Sequence, residues 1–425
     1  MNKIPFPHID ETLYHHQLQN GLNIYLLPKV GFSKSYVTFS TNLGSLQEEI
    51  YTKEERITLP KGIAHFLEHK LFEQDGEDVS TEFALNQASV NAYTQNNRTT
   101  YLFSCTDHLY KNISLLLDFV QFPKFTQVGI EKEVQIITQE INMYKDDPNT
   151  AIYQGIIENM YKDHPVRNEI LGSVESISTI TKDILEKTHS TFYHPSNMIL
   201  FITGNFDVED TIAFIEENQR NVTKEKSYTV VDTPKSCQLS HVKDLIIERE
   251  VMVPNFVLGV KLAPCSNQSE LLKKELSISV LMDLLLGKST NNYKELLENQ
   301  LINDSFGMDI TLSDSYSYFL IGSETNKKEA LAKELRKILQ NMKTLEITDE
   351  LFLKTKKQTI GGFIQALNSL EYIANNFVKY YYQGTSLFDI LEISKNITKD
   401  DLYDIMELFK DETRYSECAV IPKKK

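Results

Sequence analysis

Tryptophan is absent from the sequence, and glycine (16) and proline (12) are sparse for a chain of 425 residues. That scarcity excludes collagen-like and low-complexity architectures. Only four cysteines occur, Cys105, Cys237, Cys265 and Cys418, far apart and with no CxxC pair. Neither a disulfide framework nor a cysteine zinc site is expected, and a reducing, cytoplasmic setting is the simplest reading. No run approaches the ~18 apolar residues of a membrane span, and the opening MNKIPFPHIDET contains no apolar core of a signal peptide. Positive charge is in deficit: 44 Lys and Arg stand against 59 Asp and Glu, a net charge of −15. Such a surface repels phosphate and anionic lipid, so no nucleic acid and no membrane is expected as a partner, whereas a peptide with local positive charge suits it. A phosphate-binding loop is also missing, since Gly287-Lys288-Ser289 lacks its first glycine.

What is present is an ordinary globular composition, 41% hydrophobic and 10% aromatic, with ample matter for more than one core. Two halves carry the same order of elements. In the first, strand patterns at Leu22–Leu27 and Ser35–Asn42 precede a helix near Pro60–Glu73. Strands follow at Ser89–Thr94 and Thr99–Cys105, then helices over 107–122 and 126–146 with more helix to about 190, and a closing strand at Met198–Thr203. The second half repeats this: strands Leu245–Met252 and Phe256–Lys261, helix Ser269–Leu286, strands Met308–Leu312 and Tyr316–Gly322, helices over 327–342 and 348–409, and a last strand at Glu417–Ile421. Strands that come in adjacent pairs before the helices argue for an α+β fold, mostly antiparallel sheet covered by helices, and against a Rossmann sheet. The expected organisation is an N-terminal domain over 1–220, a Lys/Thr/Ser/Pro-rich linker over 221–244 and a homologous C-terminal domain over 245–425.

The sharpest chemical signal is His65-Phe66-Leu67-Glu68-His69. Ile63, Phe66, Leu67 and Leu71 form an apolar stripe, with Pro60 expected in the first turn and Thr58 as a candidate cap. Residues four apart share one helix face, so His65 and His69 can grip one Zn²⁺ through their imidazoles. Glu68 points beside that position without occupying it, where it can take a proton from a zinc-activated water and return it to a leaving amine. This is the inverted HxxEH order of zinc peptidases. Two surface histidines beside a solvated Glu is the bland alternative, and the flanking apolar residues count against it. A catalytic zinc needs a third protein ligand. On the helix pattern Thr126–Asp147, Ile130, Val134, Ile137, Ile141 and Tyr144 form an apolar arc, and Glu133 and Glu140, two turns apart, lie along its rim. Periodicity alone leaves open whether these two acids reach water or a site.

HFLEH followed by paired glutamates on a later helix resembles the pitrilysin/insulinase family of zinc metallopeptidases, which includes the mitochondrial processing peptidases. The run Gly62–Glu73, the strand Asn91-Ala92-Tyr93-Thr94, the segment from Phe192 to Met198, and Gly204-Asn205-Phe206 extend the likeness over nearly the whole chain. The resemblance implies two homologous α/β-sandwich domains of about 200 residues forming half of a clamshell, one zinc per chain, and hydrolysis of peptides or unfolded segments. It assigns Glu140, 71 residues after His69, as third metal ligand and Glu133 as a supporting acid counted with Glu68 in the catalytic set. It also assigns Asn91, Ala92 and Tyr93 to an edge strand that pairs with the substrate.

One departure matters. Active members of that family carry an Arg and a Tyr seven apart in the second domain, which hold the substrate carbonyl and the developing oxyanion. Leu297 and Asp304 stand there, and no Arg occurs between Arg249 and Arg336. The resemblance therefore implies a heterodimer with a homologous metal-free subunit that supplies the Arg/Tyr half. A homodimer is the fallback, and a non-catalytic or weakly active core subunit is the alternative.

Overall fold

A computed structural model describes every residue except 52–55, 75, 223–228, 231–243, 345 and 424–425; for residues 229–230 it describes the backbone alone. Of the expected linker, only residues 221–222, 229–230 and 244 fall among the described ones, so that assignment lies largely outside them.

The chain divides into two compact units, the first made of Met1–Ile141, Asn168–Thr233 and Ala366–Tyr382, the second of Asn142–Arg167, Pro234–Gln365 and Gln383–Lys425. The fold is α+β with open sheets, as the strand-pair pattern predicts. The first unit carries a seven-stranded sheet in the order Asn2–Phe6, Glu11–Gln17, Asn23–Pro28, Met198–Gly204, Ser35–Thr41, Thr99–Cys105, Ala88–Thr94. Met198–Gly204 runs parallel to Asn23–Pro28, and every other pairing in that sheet is antiparallel. The five-stranded sheet of the second unit runs Asp244–Arg249, Tyr415–Pro422, Asn255–Leu262, Ser317–Glu324, Gly307–Leu312, again with one parallel pair, between its first two strands. It repeats the last five strands of the first sheet in order and direction, so the internal duplication visible in the sequence is a duplication of topology.

Helices cover these sheets with an exchange between the halves of the chain. Pro148–Met160, from the first half, packs on Tyr415–Pro422, Asn255–Leu262 and Asp244–Arg249 of the second unit. Leu370–Tyr382, from the second half, packs on Met198–Gly204 and Ser35–Thr41 of the first. The two covering helices thus sit on equivalent strands. In the first unit Phe377 stacks on Phe201 with ring centroids 4.4 Å apart. In the second, Gly155 faces the sheet so closely that an added Cβ would lie 2.9 Å from Cys418 Sγ.

The core of the first unit decides where the site sits. The motif helix spans Ile63–Leu71, and its Ile63, Ala64, Phe66, Leu67 and Leu71 are buried in one cluster with Phe103, Leu116, Ile137 and Ile141. Each Ile, Leu and Phe among them contributes roughly 1.5–3 kcal/mol of transfer free energy. The helix starts later than its sequence suggests. Pro60 precedes it, and the cap position is Gly62 with φ +89°, not Thr58. The left-handed turn is forced by a close approach: a Cβ on Gly62 would sit 2.3 Å from the Leu171 carbonyl oxygen, and one on Gly172 (φ +75°) would sit 2.3 Å from that of Lys61. Two glycines facing each other therefore set where the helix, and its histidines, begin.

Candidate metal centre and peptide edge

Residues from two helices and one strand converge on the motif, and all of them belong to the first unit. His65, Glu68 and His69 come from Ile63–Leu71, Glu133 and Glu140 from the 20-residue helix Gln127–Asp146, and Thr94 from the edge strand Ala88–Thr94. The long helix turns Ile130, Glu133, Ile137 and Ile141 inward; Val134 is half-buried and Tyr144 is exposed, so the apolar arc ends one turn earlier than its periodicity suggests.

The sequence-assigned ligands come together. Ligand atoms of His65, His69 and Glu140 all lie within 4.8 Å of one another. Glu140 Oε2 is 3.8 Å from His65 Nε2 and 3.5 Å from His69 Nε2. These separations exceed the about 3.2 Å upper end of a good N–H···O bond. They approximate the about 3.3–3.5 Å edge of a tetrahedron whose ligands stand ~2.0–2.1 Å from a central ion. Glu140 Oε2 and His65 Nδ1 are buried and have no hydrogen-bond partner among the described residues. An unsatisfied buried polar atom costs about 1–3 kcal/mol. A cation between the two Nε2 atoms and Oε2 removes that cost for the carboxylate, so the donor set fits a tetrahedral metal with one open position.

Local electrostatics favour the ligand form of His65 and oppose that of His69. Burial, with the neighbouring His69, pushes the His65 pKa down to about 3, so the ring is neutral at pH 7 and has a lone pair to give. His69 is also disfavoured as a cation by burial, but its hydrogen bond to Glu133 and the charges of Glu133, Glu68 and Glu140 outweigh that and raise it. Glu133, itself buried, accepts a hydrogen bond from His69 Nδ1 at 3.0 Å. That contact assigns the proton to Nδ1 and leaves Nε2 facing Glu140. Glu133 thus touches the imidazole and not the reacting position; it is a positioning residue. Burial raises the Glu68 pKa, opposed by a hydrogen bond that Thr94 Oγ1 donates to Glu68 Oε2 at 2.6 Å. A carboxyl raised in this way holds its proton more readily than an ordinary one, which suits a group that must take up a proton and return it.

Asn91, Ala92 and Tyr93 lie on the open edge of the seven-stranded sheet. Gln95 N–H donates to the Arg98 carbonyl across the hairpin, and Thr94 pairs with Thr99, Tyr93 with Thr100, Ala92 with Tyr101. Antiparallel alternation then turns the N–H and C=O of Ala92 and Thr94 outward. The Ala92 N–H donates to Asn91 Oδ1 at 2.8 Å and the Thr94 N–H to the Glu68 carboxylate, which leaves the two carbonyls facing a further strand. Side chains alternate too: Thr94 reaches Glu68 on the motif helix, while Tyr93 OH donates to Asn375 Oδ1 (3.0 Å) on the covering helix of the opposite face. Sequence reasoning missed Thr94 as a contact of Glu68. The period-two alternation from Tyr93 was the signal that could have found it. Leu297 ends an exposed turn of the helix Asn291–Glu298 and Asp304 is exposed as well, so neither side chain supplies a donor of the Arg/Tyr kind.

The sequence pattern described as Insulinase (Peptidase family M16) matches residues 32–174, and that described as Peptidase M16 inactive domain matches 179–359. The zinc protease YmfH of Bacillus subtilis is 43% identical over 430 residues, with 99% of each chain covered. A zinc protease of Rickettsia felis is 25% identical over 397 residues, covering 91% of this chain and 92% of that one. The crystal structure of an M16-like peptidase from Alicyclobacillus acidocaldarius matches with a TM-score of 0.93 at 32% identity, over 99% of this chain and 100% of that one. The periplasmic protease PqqL of Escherichia coli shares the fold, with a TM-score of 0.78 at 18% identity, and 99% of this chain covers 48% of PqqL.

Proposed function

This chain belongs to the M16 (insulinase) family of peptidases, and on that premise we propose that it is a zinc endopeptidase subunit that hydrolyses peptides or unfolded segments held as an added strand. The family and the naming of its relatives point to a zinc protease. The observation that carries the reading to particular residues is Glu140 Oε2, buried 3.8 Å from His65 Nε2 and 3.5 Å from His69 Nε2 and without a hydrogen-bond partner among the described residues. One zinc bound there would supply Lewis acidity and a water acidic enough to be a nucleophile near neutral pH. The chain's own groups do the rest. His65, His69 and Glu140 hold the ion, and Glu133 orients His69. Glu68 takes the proton at its carboxylate and returns it to the leaving amine, held in place by Thr94. The outward carbonyls of Ala92 and Thr94 accept from the extended peptide and align it across the site.

The matching test is metal content and cleavage in parallel. Glu68→Gln is expected to keep one zinc per chain and lose cleavage, whereas His69→Ala and Glu140→Ala lose both. Undiminished zinc in Glu140→Ala would remove the third ligand from this account.

Completion in trans is part of the proposal. Leu297 and Asp304 cannot stabilise an oxyanion, so a homologous subunit without HxxEH is the expected source of the Arg/Tyr pair, with a homodimer as the weaker alternative. Full activity of the isolated chain would contradict it. The same two residues favour a second reading, a non-catalytic core subunit. Chelator-resistant function of the assembled protein would support that reading. A cytoplasmic setting also belongs to the proposal, and cell fractionation tests it.

A further inference from the structure

The face of the edge strand turned away from the metal cluster carries a recess that the reaction above does not use. It measures about 400 Å³ and is lined by Tyr93, Gln95, Arg98, Asn375, Asn376 and Lys379. All six residues belong to the first unit. Its lining holds two cations and no carboxylate. Arg98 is 6% exposed, yet no ion pair to a carboxylate involves it among the described residues. Its Nη1 donates to Asn97 Oδ1 at 3.1 Å and its guanidinium lies 5.9 Å from the Tyr93 ring centroid. Nε is buried with no hydrogen-bond partner among the described residues. A buried guanidinium without a counter-ion is uncommon, because removing the charge from water is costly unless an anion compensates it. On a protein of net charge −15, a pocket with only cationic side chains among its charged residues is a local exception to the overall balance.

Its position identifies what would enter it. In a strand added beside Ala88–Thr94, successive side chains point to opposite faces. Those on the Thr94 side face Glu68 and the metal ligands, and those on the Tyr93 side face the helix Leu370–Tyr382 and this recess. We propose that the recess is a specificity subsite for a carboxylate of the bound peptide, with Arg98 as its main donor and Lys379 at its rim. The carboxylate is that of an Asp or Glu side chain or of the peptide C-terminus. This rests on the peptide-strand reading of the edge and adds the substrate chemistry that the edge selects.

The test uses the full chain carrying Glu68→Gln, loaded with zinc, and fluorescein-labelled nine-residue extended peptides read by fluorescence polarisation. One Glu, Gln or Lys is scanned through each peptide, and each peptide is made with a free and an amidated C-terminus. A charge-assisted contact to a desolvated guanidinium predicts that Glu binds at least about ten-fold tighter than Gln at one position, with Lys weaker still. A preference that survives amidation assigns the side chain, and one lost on amidation assigns the C-terminus. Arg98→Met is expected to erase the discrimination and Arg98→Lys to restore part of it. Thermal melting and zinc content report whether Arg98→Met is folded; if it is not, Lys379→Met, at a partly exposed helix position, is expected to weaken the Glu preference severalfold. Glu, Gln and Lys peptides binding within two-fold of one another, free and amidated alike, or no saturable binding of any peptide, would overturn the subsite. Cleavage by the wild-type chain is scored separately. A chain that cleaves without charge preference refutes the subsite alone, and one that binds with the preference but never cleaves refutes the peptidase reading alone.

Discussion

Replacing Glu133 tests how the metal centre is built without touching a ligand. Its carboxylate is buried and accepts a 3.0 Å hydrogen bond from His69 Nδ1. That bond keeps the proton on Nδ1, so that Nε2, 3.5 Å from Glu140 Oε2, carries the lone pair. A hydrogen bond to a charged group contributes about 1.5–3 kcal/mol. Partners of this kind typically change metal affinity by about 10–100-fold, which is the same quantity at ~1.4 kcal/mol per decade. Glu133→Gln keeps the volume and one acceptor oxygen while removing the charge, so zinc Kd is expected to rise about ten-fold. Glu133→Ala also frees the ring to rotate and should reach the upper end of the range. Competition between the metal-free chain and a chromophoric chelator measures both, independently of catalysis. Zinc Kd within two-fold of wild type in both variants would refute the claim that Glu133 sets the tautomer and orientation of His69.

Gly62→Ala should lower thermal stability and zinc affinity together, because its Cβ would lie 2.3 Å from the Leu171 carbonyl oxygen at a φ of +89°. A left-handed residue costs about 1–2 kcal/mol before the clash is added; an unchanged melting temperature would remove the paired-glycine account of the helix start. The zinc-free chain should lose stability in acid. With the His65 pKa at about 3 against an ordinary 6.5, folded and unfolded chains bind the same proton count at that ring above pH 6.5, and only the unfolded chain takes it up as the pH falls toward 3. Unfolding free energies from urea titrations in chelator at pH 7 and pH 4.5 should therefore differ by up to about 3 kcal/mol, and His65→Asn should flatten that part of the difference. An equal slope in His65→Asn would contradict it. Thr94→Ala should lower kcat more than it raises KM and shift the acidic limb of the pH–rate profile upward, since the hydrogen bond that opposes the raised Glu68 pKa is removed. An unmoved limb would show that Thr94 does not act through Glu68.

The parts of this account legible in the sequence are those written in short-range periodicity. HFLEH lies within one helix, so the shared face of His65 and His69 follows from spacing alone. Glu140 is different: the rim position of the long helix left its role open, and only the family likeness placed it beside the motif. Features that depend on the chain returning from a distance were not legible. Asn375 reaches Tyr93 across 282 residues, and no local pattern announces it. The exchange of Pro148–Met160 and Leu370–Tyr382 between the sheets has the same cause, because an amphipathic helix records that it covers a sheet but not which one. The first two strands, Asn2–Phe6 and Glu11–Gln17, were overlooked because neither alternates cleanly: the first is a mostly exposed edge strand, and the second, though paired on both sides, fully buries only Leu13. The long helical stretch at 348–409 proves to be four α-helices, Asp349–Ala366, Leu370–Tyr382, Ile390–Asn396 and Lys399–Glu407. Ser369, Gly384 in a left-handed turn and the Thr398 capping box mark the breaks, and single polar residues of that kind are easily read through as helix surface.

The central claim is that His65, His69 and Glu140 close around one ion. Anomalous diffraction on either side of the zinc absorption edge, from crystals of the zinc-loaded chain, tests it most directly. The account predicts a single strong peak within about 2.0–2.2 Å of the two Nε2 atoms and a Glu140 oxygen. Fully loaded crystals with no peak at that position, or a peak that leaves Glu140 out of reach, would contradict it.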